Sequence, residues 1–394
     1  MTKRTRTIKP GTAPITRRRF AALALGAVAA PALVGRARAA GVIKIGDIQS
    51  LTGPSASYGI RARDGAILAV EAANAAGGFK DAKGESWRFE KIDADMANEA
   101  KQALTLYRQF ATDPAVIGVV GPTNSVGWIA TVPVARSMKL PILCNGSMAP
   151  VKEWNPYAYR TNPIAAFATP IMLKKVLELE HAHRVAVIYD QAQDAQAADA
   201  EICRRQQKEF GYELVADEAF RSNDQDFSAQ ISKIKAAKPD IIHVAAATGD
   251  GVKVVSQLRG SGLTAPLTTG TGSFYDPVYW DGTNGVIKDS YTWLSTDLAS
   301  PAPAVQKFLE DYKRFPQAAT YISVLGYDTV STLIEALRRA GTVDRDKVQA
   351  ALSNLEYTAP LGTKVSFKNP PGGDNLTPTL VVIKITGRAA YVKV

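Results

Sequence analysis

Short apolar runs alternate with helix-like segments along most of this chain, and this alternation restricts the fold more than any other feature of the sequence. In one example, an apolar run at Val116–Val120 precedes a helix that begins after Asn124. A second apolar run at Pro141–Cys144 then ends at the polar turn Asn145-Gly146-Ser147. Uninterrupted apolar runs bounded by turn residues are typical of strands buried on both faces. Their alternation with helices predicts a parallel β-sheet covered by helices.

The alternation occurs in two successive parts of the chain, which predicts two α/β sheets. The order then changes, because two long helices follow each other and a strand hairpin ends the sequence. A stretch rich in Pro and Gly, Pro370–Asp374, is predicted to be a loop. The other predicted strands are Val42–Gln49, Trp87–Asp93, Arg184–Tyr189, Glu213–Phe220, Asp240–Ala246, Pro266–Thr269, Ser290–Leu294, Leu380–Ile385 and Ala390–Val394. The other predicted helices are Ala62–Ala76, Asn98–Ala111, Phe167–Glu180, Ala195–Phe210, Phe227–Ala237, Gly251–Arg259, Ala304–Phe315, Ile322–Arg339 and Lys347–Leu355.

Two polar turns, Thr123-Asn124-Ser125 and Gly146-Ser147, follow the neighbouring strands of the first example. The carboxyl ends of parallel strands lie at one edge of a sheet, and open sheets of this kind bind ligands there. Free backbone N–H groups at a helix N-terminus, together with the Ser125 hydroxyl, suit a carboxylate. Most turns between a strand and a helix bind nothing, so these residues alone leave a ligand site and a structural turn equally open.

Residues 1–40 have the composition of a secretory signal peptide. Seven basic and no acidic side chains precede Phe20, the Ala-rich run Phe20–Val34 follows, and Ala37-Arg38-Ala39 has the small-x-small pattern of a cleavage site. The segment Thr16-Arg17-Arg18-Arg19-Phe20 resembles the twin-arginine export signal. A transmembrane anchor is the alternative, but the apolar run is shorter than the ~20 residues that span a bilayer. We therefore predict cleavage near Ala39 or Ala40 and export to the periplasm.

The net charge of the whole chain, +10, comes almost entirely from these first 40 residues. They contain nine of the 47 Lys and Arg and none of the 37 Asp and Glu, which leaves 38 basic against 37 acidic side chains. This balanced charge gives no support to nucleic-acid binding. The rest of the 394-residue chain is long enough for two domains.

Neither the cysteines nor the histidines form a pattern that indicates catalysis or metal binding. Cys144 ends a predicted strand and Cys203 lies within a predicted helix, so we expect two buried free thiols even in an oxidising compartment. His181 and His183 would lie on different faces of a helix, and His243 lies in a predicted buried strand. The sequence has no P-loop, no G-x-S-x-G motif and no metal-ligand spacing. We therefore predict a protein that is not an enzyme and has no cofactor or metal.

Several segments together match the pattern of a known family. The most specific is IGDIQSLTGPSASYGIRARDGAILAVEAANAAGGF, at Ile45–Phe79. Others are VIGVVGPTNSVGWIATVPVA, LPILCNGS, HRVAVIYD and LGYDTVSTLIEALRRAG. These segments, spread over essentially the whole chain after residue 40, resemble periplasmic leucine/isoleucine/valine-type binding proteins. Such proteins are the solute receptors of ABC importers of the branched-chain amino acid type.

The resemblance implies a bilobed type I periplasmic-binding-protein fold, in which two parallel-sheet α/β domains are joined by three crossover strands. We expect the crossovers near Thr161, Leu294 and Pro378. Lobe 1 would comprise residues 41–160 plus 294–378, and lobe 2 residues 161–293 plus 379–394, after the signal peptide at 1–40. In this family the ligand lies between lobes that close by a hinge motion.

The resemblance also implies which residues bind the ligand. Ser125 matches the carboxylate-binding serine of the family, and Gly146-Ser147 matches a second carboxylate turn, where Met148 replaces the threonine of the family. Tyr58 and Tyr327 match aromatic residues of the cleft. The full set of predicted ligand-binding residues is Tyr58, Thr123, Asn124, Ser125, Gly146, Ser147, Asp194, Thr248, Thr271, Phe274 and Tyr327.

The second lobe departs from the family pattern at two positions. Asp194-Ala195 stands where the family usually has a Tyr-Gly pair, and Thr271 stands where amino-acid receptors place a glutamate against the ligand ammonium. An unpaired buried ammonium is costly, so the neutral Thr271 argues against a plain α-amino acid. Asp194 or Asp250 would restore a counter-ion, which keeps the amino-acid alternative open.

We therefore predict a receptor that binds a small carboxylate, preferably an aromatic or other non-amino acid, and delivers it to the membrane subunits of an ABC permease. Phe274, Tyr275 and Trp128 lie near the expected cleft, where ligand packing and ordinary core packing are both open. A branched-chain amino acid or amide ligand, and a role as the ligand-sensing partner of a signalling receptor, remain alternatives. We expect a monomer.

Overall fold

The computed structural model describes residues 41–53, 55–271, 273–368, 373–375 and 377–394, so the predicted signal peptide lies outside the described residues. The strands of the described part are β1 (Gly41–Gln49), β2 (Phe79–Lys80), β3 (Ser86–Asp95), β4 (Val116–Val120), β5 (Ile142–Cys144), β6 (Ala158–Arg160), β7 (Arg184–Asp190), β8 (Glu213–Phe220), β9 (Ile241–Ala245), β10 (Leu267–Thr268), β11 (Tyr291–Leu294), β12 (Glu356–Thr358), β13 (Lys364–Ser366), β14 (Gly373–Asp374), β15 (Val381–Gly387) and β16 (Ala390–Lys393). Its helices are α1 (Ala56–Ala75), α2 (Ala100–Thr112), α3 (Ser125–Met138), α4 (Ala165–Glu180), α5 (Asp194–Phe210), α6 (Ser228–Ala237), α7 (Thr248–Gly260), α8 (Pro277–Gly282), α9 (Pro303–Tyr312), α10 (Tyr321–Ala340) and α11 (Arg345–Ser353), with one 3₁₀ turn at Ser273–Tyr275.

The described strands form two seven-stranded sheets and one small hairpin, β12–β13. The first sheet has the order β14-β6-β5-β4-β1-β3-β2, and the second has the order β16-β15-β11-β10-β9-β7-β8. Neighbours in the centre of each sheet are parallel. Antiparallel strands add to one edge of each sheet, β2 on β3 in the first and β15–β16 on β11 in the second. The predicted α/β sheets and terminal hairpin are therefore confirmed, and both sheets are mixed.

The described chain passes three times between the two sheets, which confirms the bilobed type I fold. It leaves the first sheet after β6, returns after β11, and leaves again between β14 and β15. We call the elements around the first sheet the first lobe and those around the second sheet the second lobe. Helices α1, α2, α3, α9, α10 and α11 pack in the first lobe, and α4 to α8 in the second. The residue bounds of the two domains stay a prediction.

Several short strands correct the sequence prediction. The prediction of a loop at Pro370–Asp374 is wrong for its last two residues. Gly373 and Asp374 pair in parallel with Tyr159 and Arg160 of β6. β6 itself, and the hairpin β12–β13, do not follow from the sequence either. Segments of two or three residues are too short to show the two-residue alternation on which a strand prediction rests.

The helix pair α1–α10 places its N-terminal ends at the space between the lobes. The two backbones touch, because a Cβ atom on Gly65 would lie 1.9 Å from the Ser323 carbonyl oxygen and one on Gly326 would lie 2.1 Å from that of Ala62. α10 begins with a capping box in which Thr320 and Ser323 each accept a backbone N–H of the other. The first residue of α10, Tyr321, is thereby held at the lobe boundary.

Candidate ligand-binding cleft

Two hydroxyl groups meet where β4 and β5 end in the first lobe. Ser125 is the first residue of α3, and Ser147 lies in the turn after β5. The Ser147 hydroxyl donates a hydrogen bond of 3.0 Å to the Ser125 hydroxyl. β4 and β5 are parallel neighbours, so the two turns lie at the same edge of the sheet, as predicted. Ser147 is 1% exposed, whereas Ser125 is partly buried at this carboxyl edge.

Asn124 fixes the N-terminus of α3. Its side-chain oxygen accepts the Gly127 N–H at 3.2 Å, and its amide nitrogen donates to the Ser50 hydroxyl and to the Asn98 side-chain oxygen, both at 2.7 Å. The first N–H groups of a helix have no acceptor within the helix, so those of Ser125 and Val126 add positive potential beside the serine hydroxyl. Such a helix end favours an anion.

Thr123 and Asn124 lie beside Ser125, but their side chains are engaged within the protein. The Thr123 hydroxyl donates to the Gln49 side-chain oxygen at 2.6 Å and lies 2.8 Å from that of Asn145. Thr123 is also almost fully buried. A ligand contact from Thr123 or Asn124 therefore stays a prediction, and their observed role is to position the Ser125 turn.

The turn after β5 is held by a buried arginine. Arg160 donates to the carbonyl oxygens of Ser147, at 3.1 Å, and of Ala149, at 2.6 Å. Asn162 donates to the same Ser147 oxygen at 2.9 Å. The Ser147 N–H meets the Cys144 sulfur at 3.2 Å, and burial raises the pKa of the Cys144 thiol to about 11. These contacts leave the Ser147 hydroxyl free to pair with Ser125.

Two tyrosines of the first lobe reach the second lobe. The Tyr58 hydroxyl, near the start of α1, shares a hydrogen bond with the hydroxyl of Thr248, the first residue of α7. Burial, and after it the charge of Asp276, raises the pKa of Tyr58 to about 12. The Tyr321 hydroxyl donates to the Thr271 carbonyl oxygen at 2.7 Å. Burial also raises the pKa of Tyr321, so both tyrosines are neutral near pH 7 and connect the lobes.

An ion pair also joins the lobes next to these tyrosines. The guanidinium of Arg61, on α1, donates to both carboxylate oxygens of Asp276, at 2.8 and 3.1 Å. The Arg61 and Asp276 side chains are 4% and 5% exposed. Asp276 also caps α8, because its Oδ1 accepts the Val278 N–H at 2.9 Å. This two-point contact fixes α1 against the start of α8.

A cavity of ≈910 Å³ lies between α3 of the first lobe and α5 of the second. Met148 lines it, directly after Ser147, so the cavity extends sideways from the serine pair. Asp194, the first residue of α5, is exposed on its wall. The wall is otherwise largely apolar and includes Ile129, Val132, Trp154, Ile164 and Ile202. Concave apolar space beside a few polar groups is typical of small-molecule sites.

Residues 42–382 match the family model described as periplasmic binding protein. The chain belongs to this family. The bilobed fold and the cleft geometry agree with that assignment, and the resemblance seen in the sequence is confirmed.

Curated relatives and solved structures of the same family extend the comparison. The leucine-, isoleucine-, valine-, threonine- and alanine-binding protein of Pseudomonas aeruginosa is 26% identical, over 90% of this chain and 92% of the relative. The branched-chain amino acid transporter substrate-binding protein of Streptococcus pneumoniae, in complex with isoleucine, has a TM-score of 0.76 at 24% identity, over 90% of this chain and all of that one. A solute-binding protein from R. palustris in complex with 4-hydroxybenzoate has a TM-score of 0.75 at 17% identity, over 90% and 95%. One from Rhodopseudomonas palustris BisB5, in complex with 3,4-dihydroxybenzoic acid, has a TM-score of 0.73 at 21% identity, over 87% and 93%.

In this periplasmic binding protein, two predicted cleft aromatics lie elsewhere. Tyr327 packs edge-on against Phe308, with ring centres 5.5 Å apart, and lines a groove between α1 and α10 within the first lobe. Tyr321, six residues earlier in the same helix, is the tyrosine that contacts Thr271. Phe274 is 1% exposed and packs edge-on against Tyr279 in the core of the second lobe. A ligand contact from Tyr327 or Phe274 has no support from these positions.

Other predicted candidates are occupied by contacts within the protein. Asp250 accepts from Lys253 at 3.1 Å and from the Asn223 N–H at 3.2 Å. The Thr271 hydroxyl lies 3.1 Å from that of Thr269 and 2.9 Å from that of Ser273. Trp128, on α3, is fully buried, and Tyr275 packs edge-on against Tyr391. Asp194 is therefore the predicted acid that remains exposed to the cavity.

Sequence reasoning missed Arg61, Asp276 and Tyr321. Arg61 gave a weak signal of a functional role, because it is a charged residue on an Ala-rich helix. The structure shows that it lies on the buried side of that helix. Asp276 precedes Pro277, which is a helix-start pattern, but its partner lies 215 positions away in the sequence. Pairing at that separation is visible only once the lobes are placed together.

Two further observations concern metal-ligating side chains and helix hydropathy, and both apply to the described residues. They hold no group of three or more His, Cys, Asp or Glu side chains that could bind a metal ion. Across the same residues, no helix has the length and apolar character needed to cross a bilayer. Cys144 and Cys203 are free and buried, which confirms the predicted thiols.

Proposed function

We propose that this protein is an exported receptor that binds a small carboxylate without an α-amino group between its lobes. The observation that carries the proposal is the pair of hydroxyls at Ser125 and Ser147, 3.0 Å apart in front of the α3 N-terminus. Two hydroxyl donors and free helix N–H groups match the two oxygens of a carboxylate. Gly146 permits the close approach of the two turns, since a Cβ atom there would lie 2.4 Å from the Thr123 methyl carbon.

An aromatic acid is the ligand class that we favour. The second-lobe turn presents neutral hydroxyls of Thr271 and Ser273 rather than a free carboxylate. Tyr58 and Tyr321 supply rings at the lobe boundary, where aromatic packing adds affinity. The same fold holds 4-hydroxybenzoate and 3,4-dihydroxybenzoic acid in two solved relatives.

We further propose that the receptor, after cleavage near Ala39 or Ala40, releases its ligand to the membrane subunits of an ABC permease in the periplasm and works as a monomer. The family is one of periplasmic binding proteins, and the Streptococcus pneumoniae structure of the same fold is a transporter substrate-binding protein. No catalytic role is proposed. A ligand-sensing role would use the same cleft, and co-purification with a receptor kinase instead of a permease would favour it.

A branched-chain amino acid is the second candidate ligand. The isoleucine complex of the Streptococcus pneumoniae relative favours it, and Asp194 is exposed on the cavity wall as a possible partner of an ammonium group. In that case the aromatic preference is wrong while the receptor function stands.

A thermal-shift screen tests the proposal directly. The mature chain would be heated with equal concentrations of benzoates, phenylpropanoates, branched-chain amino acids and their amides. Stabilisation follows RT ln(1 + [L]/Kd), so the ligand class with the largest rise in Tm is the preferred one. We expect aromatic acids to exceed leucine and valine. If none of these compounds shifts the Tm, the carboxylate proposal fails.

A further inference from the structure

The buried ion pair between Arg61 and Asp276 is the strongest electrostatic feature of the lobe boundary. Arg61 extends from α1 in the first lobe, and Asp276 caps α8 in the second. Both oxygens of Asp276 accept from the guanidinium, at 2.8 and 3.1 Å, in the parallel geometry that favours strong pairing. Both side chains are at least 95% buried.

The pair lies beside Tyr58, a predicted ligand-binding residue, because the charges of both Asp276 and Arg61 act on the pKa of that tyrosine. Tyr58 is one helical turn before Arg61 and contacts Thr248 across the boundary. The backbone of α1 also lies against the Ser125 turn: a Cβ atom on Gly59 would be 2.1 Å from the Ser50 carbonyl oxygen, and the Ser50 hydroxyl accepts from Asn124. These contacts connect Arg61, through one turn of helix, to the N-terminus of α3.

Without Arg61, the Asp276 carboxylate would be available to bind a cationic group of a ligand. A buried carboxylate without a partner is strongly destabilised by the loss of its hydration. A cation that pairs with it relieves this destabilisation, and this adds to the free energy of binding. Other acids of the second lobe differ. Asp250 already pairs with Lys253, Asp194 is exposed on the cavity wall, and the buried Asp199 bonds His243 and Thr169. Whether Asp276 is free or neutralised therefore decides the charge that the cleft offers to a ligand.

We propose that Arg61 is a specificity-determining residue: by neutralising Asp276 it removes a buried carboxylate of the lobe boundary that could bind a ligand ammonium, and so selects acids without an α-amino group. This inference rests on the proposed carboxylate-binding function. The alternative is that the pair acts only as a mechanical contact that holds the lobes together. If Arg61 sets specificity, substituting Arg61 and substituting Asp276 should shift ligand preference in opposite directions. If the pair is only a mechanical contact, both substitutions should weaken all ligands alike.

The test uses three probes that share a phenylpropanoate skeleton and differ only at the α-carbon: 3-phenylpropanoate, phenylalanine and benzylmalonate. Arg61→Gln leaves Asp276 free, and it should raise affinity for phenylalanine relative to 3-phenylpropanoate by about tenfold or more, the usual size of one charge-assisted hydrogen bond. Asp276→Asn leaves the guanidinium free, and it should shift preference by a similar factor towards benzylmalonate. The double variant removes both charges and should keep the ranking of the wild type.

Two controls keep the experiment decisive. Arg314→Gln removes an arginine from an exposed pair with Glu71 in the same lobe and should leave the ranking unchanged. Arg61→Lys keeps the charge, so it should fold and keep the wild-type ranking even if Arg61→Gln is unstable. If both single variants weaken all three probes equally, or neither changes the ranking, the pair is only a contact and the inference is overturned. If the wild type binds no probe and no acid of the screen, the proposed function itself fails.

Discussion

The Ser147 hydroxyl donates to the Ser125 hydroxyl across 3.0 Å, although 22 positions separate the two residues in the sequence. The contact exists because β4 and β5 are parallel neighbours whose turns end at the same edge. The contact also depends on Arg160, which donates a hydrogen bond to the Ser147 carbonyl oxygen and so fixes the turn after β5. Two independent turns therefore present their donors to one point, which is what a carboxylate needs.

Replacing Ser125 by alanine should weaken carboxylate binding without unfolding the protein. One hydrogen bond to a charged group is worth roughly 1.5–3 kcal/mol, so affinity should fall about tenfold to a hundredfold. Titration calorimetry with the best acid of the thermal screen would measure the change. Ser137→Ala is the matched control, because its hydroxyl donates to the Val134 carbonyl on the exposed end of the same helix. Loss of the thermal transition in Ser125→Ala would instead identify a structural cap.

Gly146→Ala should lower both stability and affinity. The added Cβ atom would lie 2.4 Å from the Thr123 methyl carbon and 2.6 Å from its carbonyl oxygen, so the two turns must separate. Overpacking of this kind costs about 1–3 kcal/mol, measurable by urea unfolding. Gly260→Ala is the control, since a Cβ atom there has no neighbour within 4 Å. Equal effects of the two substitutions would contradict the close approach of the turns.

The alternation of apolar runs with helices was sufficient to predict the two α/β sheets, whereas the bilobed arrangement came from the family resemblance. β4, α3 and β8 lie within the predicted bounds, and most other elements differ by one or two residues at their ends. α1 is an exception, because it begins at Ala56 rather than Ala62. Its first turn packs against the Ser50 backbone through Gly59, and this tertiary contact is not visible as periodicity.

The candidate site was less predictable than the fold. Ser125 and Ser147 follow from the turns, because polar residues after adjacent parallel strands must lie together. Similarity of sequence pointed to Tyr327 without considering Tyr321, whereas the capping box at Thr320 holds Tyr321 at the lobe boundary. The Arg61–Asp276 pair depends on how two lobes meet, and no local pattern encodes that.

The export prediction concerns residues 1–40. Because an Arg-Arg pair precedes a weakly apolar run, replacing both Arg17 and Arg18 by lysine should retain the protein in the cytoplasm. Fractionation and immunoblotting would measure the periplasmic share, with Arg63→Lys in the mature chain as a control that leaves export unchanged. An unaltered periplasmic yield of the double variant would remove the twin-arginine assignment.

Asp328 should make stability depend on pH. Burial raises the pKa of its carboxyl from 3.8 to about 7, and its oxygens accept the Leu361 and Thr363 N–H groups. Since the folded state holds this proton more tightly than the unfolded state, the contribution is complete below pH 4 and is lost as the pH rises to about 7. The linked change is up to about 4 kcal/mol. Urea unfolding of Asp328→Asn should show a smaller decline over this range than the wild type, and an identical pH profile would contradict the assignment.

Placing a carboxylate at Thr271 should change which ligands bind. The Thr271 hydroxyl lies within 3.1 Å of Thr269 and 2.9 Å of Ser273, and its carbonyl receives Tyr321, so a glutamate there would face the lobe boundary. The new charge should weaken an aromatic acid about tenfold, by repulsion and by desolvation, and should favour leucine in its place. Thermal shifts with both ligands would measure the exchange. Thr105→Glu, on the exposed face of α2, adds the same charge away from the cleft and should change neither shift. If leucine already stabilises the wild type more than any aromatic acid, the preferred ligand is an amino acid and the receptor function remains.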